Sequence, residues 1–337
     1  MQVPTHDTRK VAVLAGIGAW LPPRVVDNDE LSRRLDTSDE WIRTRTGIGE
    51  RHVVDPGMST VDMAVEAGAR ALRSAGSADI DAVVLATATP DQVCPASAPQ
   101  VASGLGLGSV AAFDVNAVCS GFVYALATAA GLIAADVARS VLLIGADAFT
   151  TLLDPDDRST VPIFGDGAGA VVLHAGEAGQ DGAVGPFDLH SDGELSELLI
   201  VPAGGSRMKR STNPADHCFS MRGPAVFRHA TARMAESSRA VLDRAGWTIA
   251  DVDRFIGHQA NIRILQATAK QLGLPADSLV VNIERTGNTS AASIPLAMAD
   301  AAADGTLQKG DRVLLSAFGA GLTWGSTVLR WPDVIPG

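Results

Sequence analysis

The sequence predicts a duplicated α/β sandwich, in which two similar halves each form a sheet and helices stack between the sheets. In both halves, runs of Val, Ile and Leu of strand length alternate with alanine-rich runs of helical length, as is typical of α/β layers. A motif also recurs, because ALRSAG at 71–76 and VLDRAG at 241–246 begin 170 residues apart and each precedes an apolar run. A second pair of similar segments, VLLI at 141–144 and VLLS at 313–316, is spaced 172 residues apart. Such self-similarity indicates two related halves.

We place the N-terminal half at 1–174 and the C-terminal half at 175–337. Arg9 and Lys10 followed by VAVLAGIGAWLPP are similar to a signal peptide, but Trp20 and the residues after it replace the small-residue cleavage site, so we predict a buried first strand. Because helices cover both faces of the sheets, the strands need not alternate polar and apolar residues. Further strands are predicted at 82–87, 140–145, 169–174, 253–257 and 312–317. The Gly, Ser, Asp and Pro residues between 180 and 222 predict inserted loops that cap a site.

The composition restricts the class of protein and its partners. A formal net charge of −11 and a pI near 5.0 argue against a general affinity for nucleic acid or for an anionic membrane surface. The uncharged run 115–135 is long enough to raise a membrane helix, but its polar and glycine residues among alanines favour a core helix. Cys94, Cys119 and Cys218 have neither disulfide nor zinc-site spacing, so we expect a cytoplasmic protein without a metal.

One cysteine stands in a segment that could carry chemistry, DVNAVCSGF at 114–122. The strand AAFDVN is predicted to end before a tight turn, AVCSG, after which FVYALATAAGLIAADVA continues as a helix. Cys119 would then lie at the start of that helix, where unpaired N–H groups and the helix dipole lower the pKa of a thiol. A thiolate there is suited to attack on acyl thioesters. The alternative is a buried, inert small hydrophobe, the commonest fate of a lone cysteine.

Two polar residues of the second half favour the catalytic interpretation. His258 follows the predicted strand DRFIG, and Asn288 follows the predicted strand SLVVNI. If the halves are related by a pseudo-twofold axis, residues at equivalent strand ends meet at one site together with Cys119. Taken alone, His258 could instead be a core or helix-capping histidine, and Asn288 a turn residue in TGNT. The three residues together point to one constellation.

Six segments together resemble β-ketoacyl-acyl carrier protein synthase III, the initiating condensing enzyme of the thiolase fold. They occur in order along nearly the entire chain, and the resemblance implies a thiolase-like, five-layered α-β-α-β-α sandwich. The segments are DTSDEWIRTRTGIGERH (36–52), DVNAVCSGF (114–122), FGDGAGAVVL (164–173), GHQAN (257–261), RTGNTSAASIP (285–295) and AFGAGLTWG (317–325).

The resemblance implies a role for each residue of the constellation. Cys119 would take an acyl group from an acyl-CoA, while its own backbone N–H and those of Ala320 and Gly321 hold the oxyanion. When a malonyl thioester on an acyl carrier protein then loses CO₂, His258 and Asn288 would donate hydrogen bonds to the enolate oxygen. The carbanion attacks the acyl-cysteine in a decarboxylative Claisen condensation. No metal or redox cofactor is implied, since acyl-CoA and malonyl-carrier protein are substrates.

The resemblance also implies the binding surfaces. Trp41 would stack on the adenine of CoA with Arg158 on its other side, and further residues would line the pantetheine tunnel and its mouth. An acidic carrier protein would need a local basic rim on this acidic chain. The residues expected to bind CoA and pantetheine are Trp41, Arg45, Arg158, Gly223, Asn261 and Arg263. Those expected at the acyl pocket are Cys94, Phe164 and Phe318, and those expected at the carrier-protein surface are Arg228, Arg263 and Lys270.

Three positions depart from the family pattern. Cys94 stands where a phenylalanine often closes the acyl pocket across a dimer, so a longer, branched or otherwise unusual primer should fit. Pro224 replaces an asparagine that contacts pantetheine, and Ala320 replaces a glycine of the backbone loop. These changes suggest a relative that serves a polyketide or other secondary pathway. The resemblance implies a homodimer, because residues near 90–100 would complete the pocket of the partner.

Other activities stay open at this point. An acyltransferase of the same fold would pass the acyl group to a hydroxyl or amine, with His258 as general base, although Asn288 would then lack a role. A catalytically silent subunit of a condensing heterodimer would be expected to lack the nucleophile. A thiolase would need a second catalytic cysteine beyond Cys218, and a hydroxymethylglutaryl-CoA synthase would need a glutamate, for which Glu66 is a weak candidate.

Overall fold

We describe the fold from a computed structural model, which covers residues 10–337; Arg9 of the N-terminal basic pair lies outside the described residues. The strands are β1 Val11–Trp20, β2 Arg24–Asp27, β3 Glu50–Val53, β4 Ala82–Ala86, β5 Ala111–Val115, β6 Ser140–Asp147, β7 Gly167–Gly176, β8 Val184–Ser191, β9 Leu199–Ile200, β10 Ser220–Met221, β11 Arg254–Gly257, β12 Arg312–Gly319 and β13 Thr323–Arg330. The helices are α1 Asn28–Ser32, α2 Asp39–Thr46, α3 Thr60–Ala75, α4 Ala98–Gly104, α5 Gly121–Ala134, α6 Gly223–Ala245, α7 Ile262–Leu272, α8 Ile283–Thr286 and α9 Ser293–Ala303.

Two mixed sheets form the body of the protein. The first has the order β1-β7-β6-β4-β5, in which β4 lies parallel to β5 and β6 and the other neighbours are antiparallel. The second has the order β11-β12-β13-β8, with β11 parallel to β12 and the others antiparallel. The chain passes from the first sheet to the second between β7 and β8, and the boundary predicted at 174/175 falls inside β7, two residues before that strand ends. That boundary stays a prediction.

Helices occupy three layers around these sheets. α5 and α9 contact both sheets and fill the space between them with alanine, leucine and isoleucine side chains. α3 and α4 cover the outer face of the first sheet, and α6 and α7 cover the outer face of the second. The five-layered sandwich predicted from the sequence is therefore confirmed. None of the helices in residues 10–337 combines the length and apolar character needed to cross a bilayer.

The repeated sequence motif has a structural explanation. ALRSAG ends α3 and VLDRAG ends α6, and the last glycine of each adopts a left-handed conformation, with φ 64° at Gly76 and φ 68° at Gly246. Glycine is favoured at this position because it lacks the Cβ atom that makes such a conformation costly. Each helix then leads to a buried strand, β4 or β11, whose end approaches the centre of the molecule.

The five predicted strands 82–87, 140–145, 169–174, 253–257 and 312–317 are observed within two residues of their predicted bounds, as β4, β6, β7, β11 and β12. Two other predictions are wrong. The region 180–222 contains β8, an eight-residue strand at the edge of the second sheet. Gly185 and Pro186 interrupt the apolar pattern of this strand, which is why the sequence does not predict it. Proline is nevertheless tolerated in edge strands. The predicted strand SLVVNI reduces to a single parallel bridge between Leu279 and Phe255, and Asn288 instead follows α8.

We predict that Gly18→Ala destabilises the fold. α3 crosses β1 so closely that a Cβ atom on Gly18 would lie 2.3 Å from the Ala71 nitrogen and 2.4 Å from the Ala67 oxygen. Both are backbone atoms that cannot rotate away, so the free energy of unfolding should fall by about 2–3 kcal/mol. Gly131→Ala is the matched control, because no atom lies within 4 Å and the residue is inside α5. That change should raise stability by about 0.5–1 kcal/mol. Denaturant titration of both variants measures the difference, and equal effects would contradict the packing argument.

Candidate active site

The predicted catalytic residues line one cavity of about 650 Å³. Its walls come from both halves of the chain, and most of its lining is apolar. Cys119, His258 and Asn288 lie in it together, so the structure brings the constellation into one place. Other predicted residues in its lining are Trp41, Arg45, Arg158, Phe164, Gly223, Asn261, Arg263, Phe318 and Ala320.

Cys119 is held in a tight turn rather than in regular helix. Residues Val118–Ser120 form a single 3₁₀ turn between β5 and α5, and Val118 has a left-handed backbone with φ 46°. The end of β12 presses against this turn, because a Cβ atom on Gly319 would lie 2.9 Å from the Cys119 nitrogen and 2.8 Å from the Ser120 nitrogen. Only glycine allows this approach. It sets the backbone of Ala320, the next residue, beside the cysteine in the cavity wall.

The thiol is not activated in the way the sequence suggested. Burial, together with a smaller effect of the nearby Asp147 carboxylate, raises the pKa of Cys119 to about 12, against the opposite effect of the Ser290 hydroxyl. The prediction that the start of α5 lowers the pKa of the thiol is therefore wrong in direction. The physical reason is that removing a thiolate from water costs more free energy than its interaction with the start of one helix regains. For Cys119 to react as a thiolate, a proton acceptor or a bound substrate must compensate for this rise in its pKa.

His258 is a neutral imidazole with one side fixed. It follows β11, is only 3% exposed, and burial lowers its pKa to about 3. Its Nδ1 atom lies 2.6 Å from the Oγ of Ser293, which also accepts a hydrogen bond from the backbone N–H of Gln259 at 3.3 Å. A hydroxyl oxygen has two lone pairs, so both ring tautomers fit this contact; where the Ser293 hydroxyl donates to Nδ1, the ring proton lies on Nε2. Nε2–H is then the donor available to the cavity.

Asn288 is fixed in a similar way. Its Oδ1 atom accepts the backbone N–H of Ser290 at 2.9 Å, and its own backbone bonds to Ile163 and Gly165. With Oδ1 occupied, the side-chain NH₂ group is left as a donor, and among residues 10–337 no protein group accepts from it. The site therefore offers two N–H donors, from His258 and Asn288, facing the same cavity as Cys119.

The mouth of the cavity is basic and aromatic. The guanidinium groups of Arg45 and Arg158 lie 4.7 and 5.2 Å from the centre of the Trp41 ring. Asn261 donates to the Arg45 carbonyl at 3.0 Å and accepts the Arg263 N–H at the start of α7. Arginine side chains around one indole form a site for a flat ring with attached phosphates.

Four predicted residues do not line this cavity. Cys94 is exposed in a surface segment, and Gly321 lines a separate cavity of about 310 Å³. Arg228 and Lys270 are exposed on α6 and α7, outside the cavity. The two cavities share a wall made of Val118, Leu199, Phe219 and Ala320.

The sequence reasoning missed several lining residues. Gly319 precedes the two predicted oxyanion residues in the same loop, and its own part is the close approach to the Cys119 turn, a typical reason for a glycine. Leu199 and Phe219 fall in the region 180–222, which was predicted to cap a site without naming residues. Phe219 packs edge-on against Phe149 and Phe164, whose rings stack 4.4 Å apart.

Comparison with known proteins gives a consistent result. Family profiles described as 3-oxoacyl-[acyl-carrier-protein] synthase III and its C-terminal domain match residues 113–193 and 242–331. The chain is 58% identical to β-ketoacyl-[acyl-carrier-protein] synthase III 5 of Streptomyces coelicolor, over 96% of this chain and 98% of the relative. The chain belongs to the β-ketoacyl-[acyl-carrier-protein] synthase III family. It is thus an acyltransferase that performs the condensation initiating fatty acid or polyketide biosynthesis.

Solved structures of the synthase III family have the same fold. The crystal structure of 3-oxoacyl-(acyl carrier protein) synthase III from Pseudomonas aeruginosa is 50% identical, with a TM-score of 0.91 over 97% of this chain and 100% of that one. The priming β-ketosynthase of the R1128 polyketide pathway is 35% identical, with a TM-score of 0.90 over 99% of both chains. The family resemblance inferred from six sequence segments is confirmed.

We predict that His258 makes the fold sensitive to acid. Its folded-state pKa of about 3 lies below the ordinary value of 6.5, so the unfolded chain binds the extra proton between these values. The part of the unfolding free energy that depends on a neutral His258 is fully present above pH 6.5 and is lost as the pH falls toward 3. Between pH 7 and pH 4.5 the wild type should therefore lose about 2–3 kcal/mol more unfolding free energy than the neutral variant His258→Gln.

Denaturant titrations at the two pH values measure this difference. His174→Gln, a half-buried histidine in β7, is the matched control. Identical pH dependence in the wild type and in His258→Gln would show that His258 is not held neutral.

Proposed function

We propose that Cys119, His258 and Asn288 carry out the two half-reactions of synthase III in this chain. In the first, the Cys119 sulfur attacks the carbonyl of an acyl-CoA, and the CoA thiolate leaves. In the second, malonyl-acyl carrier protein loses CO₂, and the resulting carbanion attacks the acyl-cysteine to form a 3-ketoacyl thioester and release Cys119. The observation that carries the proposal is the convergence of one thiol and two fixed N–H donors on one cavity.

The donors match the charge that develops in each step. Cys119 and Ala320 line the same cavity, and their backbone N–H groups would stabilise the oxyanion of the acyl-transfer step. Nε2–H of His258 and the amide of Asn288 would stabilise the enolate formed on decarboxylation. A neutral histidine suits this role because it donates without offering a competing positive charge to the malonyl carboxylate. Acyl transfer to a hydroxyl or amine would leave the fixed Asn288 amide without a function.

The two substrates would enter at the basic mouth. Trp41 with Arg45 and Arg158 forms a platform for the adenine and phosphates of CoA, and Asn261 and Arg263 border the path inward. Carrier-protein docking is assigned to the arginines and lysine on the neighbouring helices, which are exposed on an otherwise acidic chain. These residues are Arg228, Arg263 and Lys270.

The second cavity would receive the acyl chain of the primer. It begins at the wall beside Cys119 and is lined mostly by apolar side chains, including Phe149, Leu152 and Val201. Its volume of about 310 Å³ supports a primer larger than an acetyl group. Phe164 and Phe318 lie on the side of the main cavity. A partner subunit that brought Cys94 to this pocket would explain the exposure of Cys94, and the homodimer therefore stays part of the proposal. The cytoplasmic location is also part of the proposal.

We predict that mass spectrometry will detect a 3-ketoacyl product on the carrier protein when the enzyme is incubated with malonyl-acyl carrier protein and a suitable acyl-CoA. A panel of short, branched and aromatic acyl groups identifies the primer, and branched or longer groups should outperform acetyl. Cys119→Ala should reduce product formation by at least about 10³-fold, because the acyl-enzyme cannot form.

Cys218→Ala is the matched control, because Cys218 lies outside both cavities. It should leave the product yield unchanged. Acylation of Cys119 without any 3-ketoacyl product from any primer would contradict the assignment of the second half-reaction to this site.

A further inference from the structure

A buried carboxylate lies behind the nucleophile, and the mechanism above does not use it. Asp147, at the end of β6, is 0% exposed. Its Oδ1 atom accepts hydrogen bonds from Thr87, Ala88 and Thr89 at 2.7–3.1 Å. Its Oδ2 atom accepts one bond, from the Ala291 N–H at 3.0 Å. Among residues 10–337 no Lys, Arg or His side chain forms an ion pair with it. The charge is held by dipoles alone, and Oδ2 has room for another donor.

Ser290 presents an unused hydroxyl at the same place. Its side chain is 0% exposed, and its Oγ atom has no hydrogen-bond partner among the described residues. Its backbone is left-handed, with φ 50°, a conformation that favours glycine. Both features are costly, since a buried unpaired hydroxyl and a strained backbone each destabilise a fold. Costs of this kind concentrate where a residue has a chemical task.

The position of Ser290 connects the thiol to the carboxylate. Ala291, the next residue, donates its N–H to Asp147, and a Cβ atom on Gly121 would lie 3.3 Å from the Ala291 Cβ. The turn that carries Ser290 therefore packs against the start of α5, directly after Cys119. Burial raises the pKa of both Cys119 and Asp147, and the nearby Ser290 hydroxyl acts against that rise at each of them. In this structure the Ser290 Oγ atom completes a hydrogen bond to neither group, so a transfer through it requires the hydroxyl to turn toward both.

We propose that Ser290 relays the proton of Cys119 to Asp147 as the thiol attacks the primer. The S–H bond breaks and its proton passes to the Ser290 oxygen, while the Ser290 O–H bond breaks and its proton passes to Oδ2 of Asp147. The products are a Cys119 thiolate and a neutral Asp147 carboxylic acid. Because the single negative charge moves from oxygen to sulfur, the thiolate forms without a second buried anion beside it.

The relay also balances over the whole reaction, and in this respect it rests on the proposed function. After the thiolate is acylated, the departing CoA thiolate takes a proton from solvent, and Asp147 stays neutral. The malonyl carboxylate and the enolate then arrive next to a neutral group instead of an anion. When condensation releases the Cys119 thiolate, the proton returns from Asp147 through Ser290.

The test is the rate at which iodoacetamide alkylates Cys119 between pH 6 and 10, followed by mass spectrometry of the peptide. Ser290→Gly is the informative variant, because glycine removes the hydroxyl and relieves the left-handed strain. Its thermal stability should be unchanged or higher, while the alkylation rate at pH 7 should fall at least about tenfold. Ser140→Ala is the matched control, since it removes another buried, unpaired hydroxyl, at the start of β6. Its rate should equal that of the wild type.

A second variant separates a relay from a simple hydrogen bond or charge effect. If Asp147 only repelled a thiolate, Asp147→Asn would speed alkylation of Cys119. The relay predicts the opposite sign, a decrease at least as large as that of Ser290→Gly, in protein shown by circular dichroism to be folded. A Ser290→Gly rate within twofold of the wild type, or faster or unchanged alkylation in Asp147→Asn, overturns the proposal. Alkylation needs neither primer nor carrier protein, so this result is independent of whether condensation is observed.

Discussion

Desolvation is the constraint on which the active site depends. Enclosing the thiol and the imidazole between two sheets disfavours the charged form of each, which raises the pKa of Cys119 and lowers that of His258. For the histidine this is useful, because the neutral ring is the form that donates without attracting an anion. For the cysteine it is an obstacle. The hydrogen bonds to His258 and Asn288 are the response of the fold to this desolvation.

The response uses backbone turns more than side-chain charges. Ser293, whose hydroxyl accepts the backbone N–H of Gln259, holds the ring of His258, and the N–H of Ser290 holds the amide of Asn288. Each contact fixes one end of a side chain and leaves the other end free for substrate. A site built from dipoles keeps its geometry when the substrate charge changes sign or position, because no counter-ion has to be displaced.

Much of the fold could be predicted from the sequence because buried strands and helices leave strong local patterns. The recurrence of ALRSAG and VLDRAG indicated two related halves, and β4, β6, β7, β11 and β12 are apolar runs long enough to recognise. The meeting of Cys119 with His258 followed from assuming that related halves place strand ends together, whereas Asn288 reaches the same cavity from the end of α8. The catalytic roles of these residues came from the family resemblance and not from pattern.

What the sequence could not supply depends on long-range packing. The direction of the Cys119 pKa shift is set by protein surrounding the thiol, whereas the local pattern shows only the start of a helix. The edge strand β8 lacks the apolar run of a central strand. The unpaired hydroxyl of Ser290 and the buried charge of Asp147 are separated by more than 140 residues in the chain, and neither is unusual in its own segment.

Val118 has two duties, and they constrain how relatives of this enzyme can diverge. Its side chain is part of the wall between the two cavities, and its left-handed backbone sets the direction in which the adjacent cysteine points. A change at this position that enlarges one compartment also alters the approach of sulfur to a thioester. Leu152, Ser196, Ile200 and Val201 line the smaller cavity alone and carry no such second duty. Shifts in primer preference during evolution should therefore accumulate at these four positions and spare residue 118.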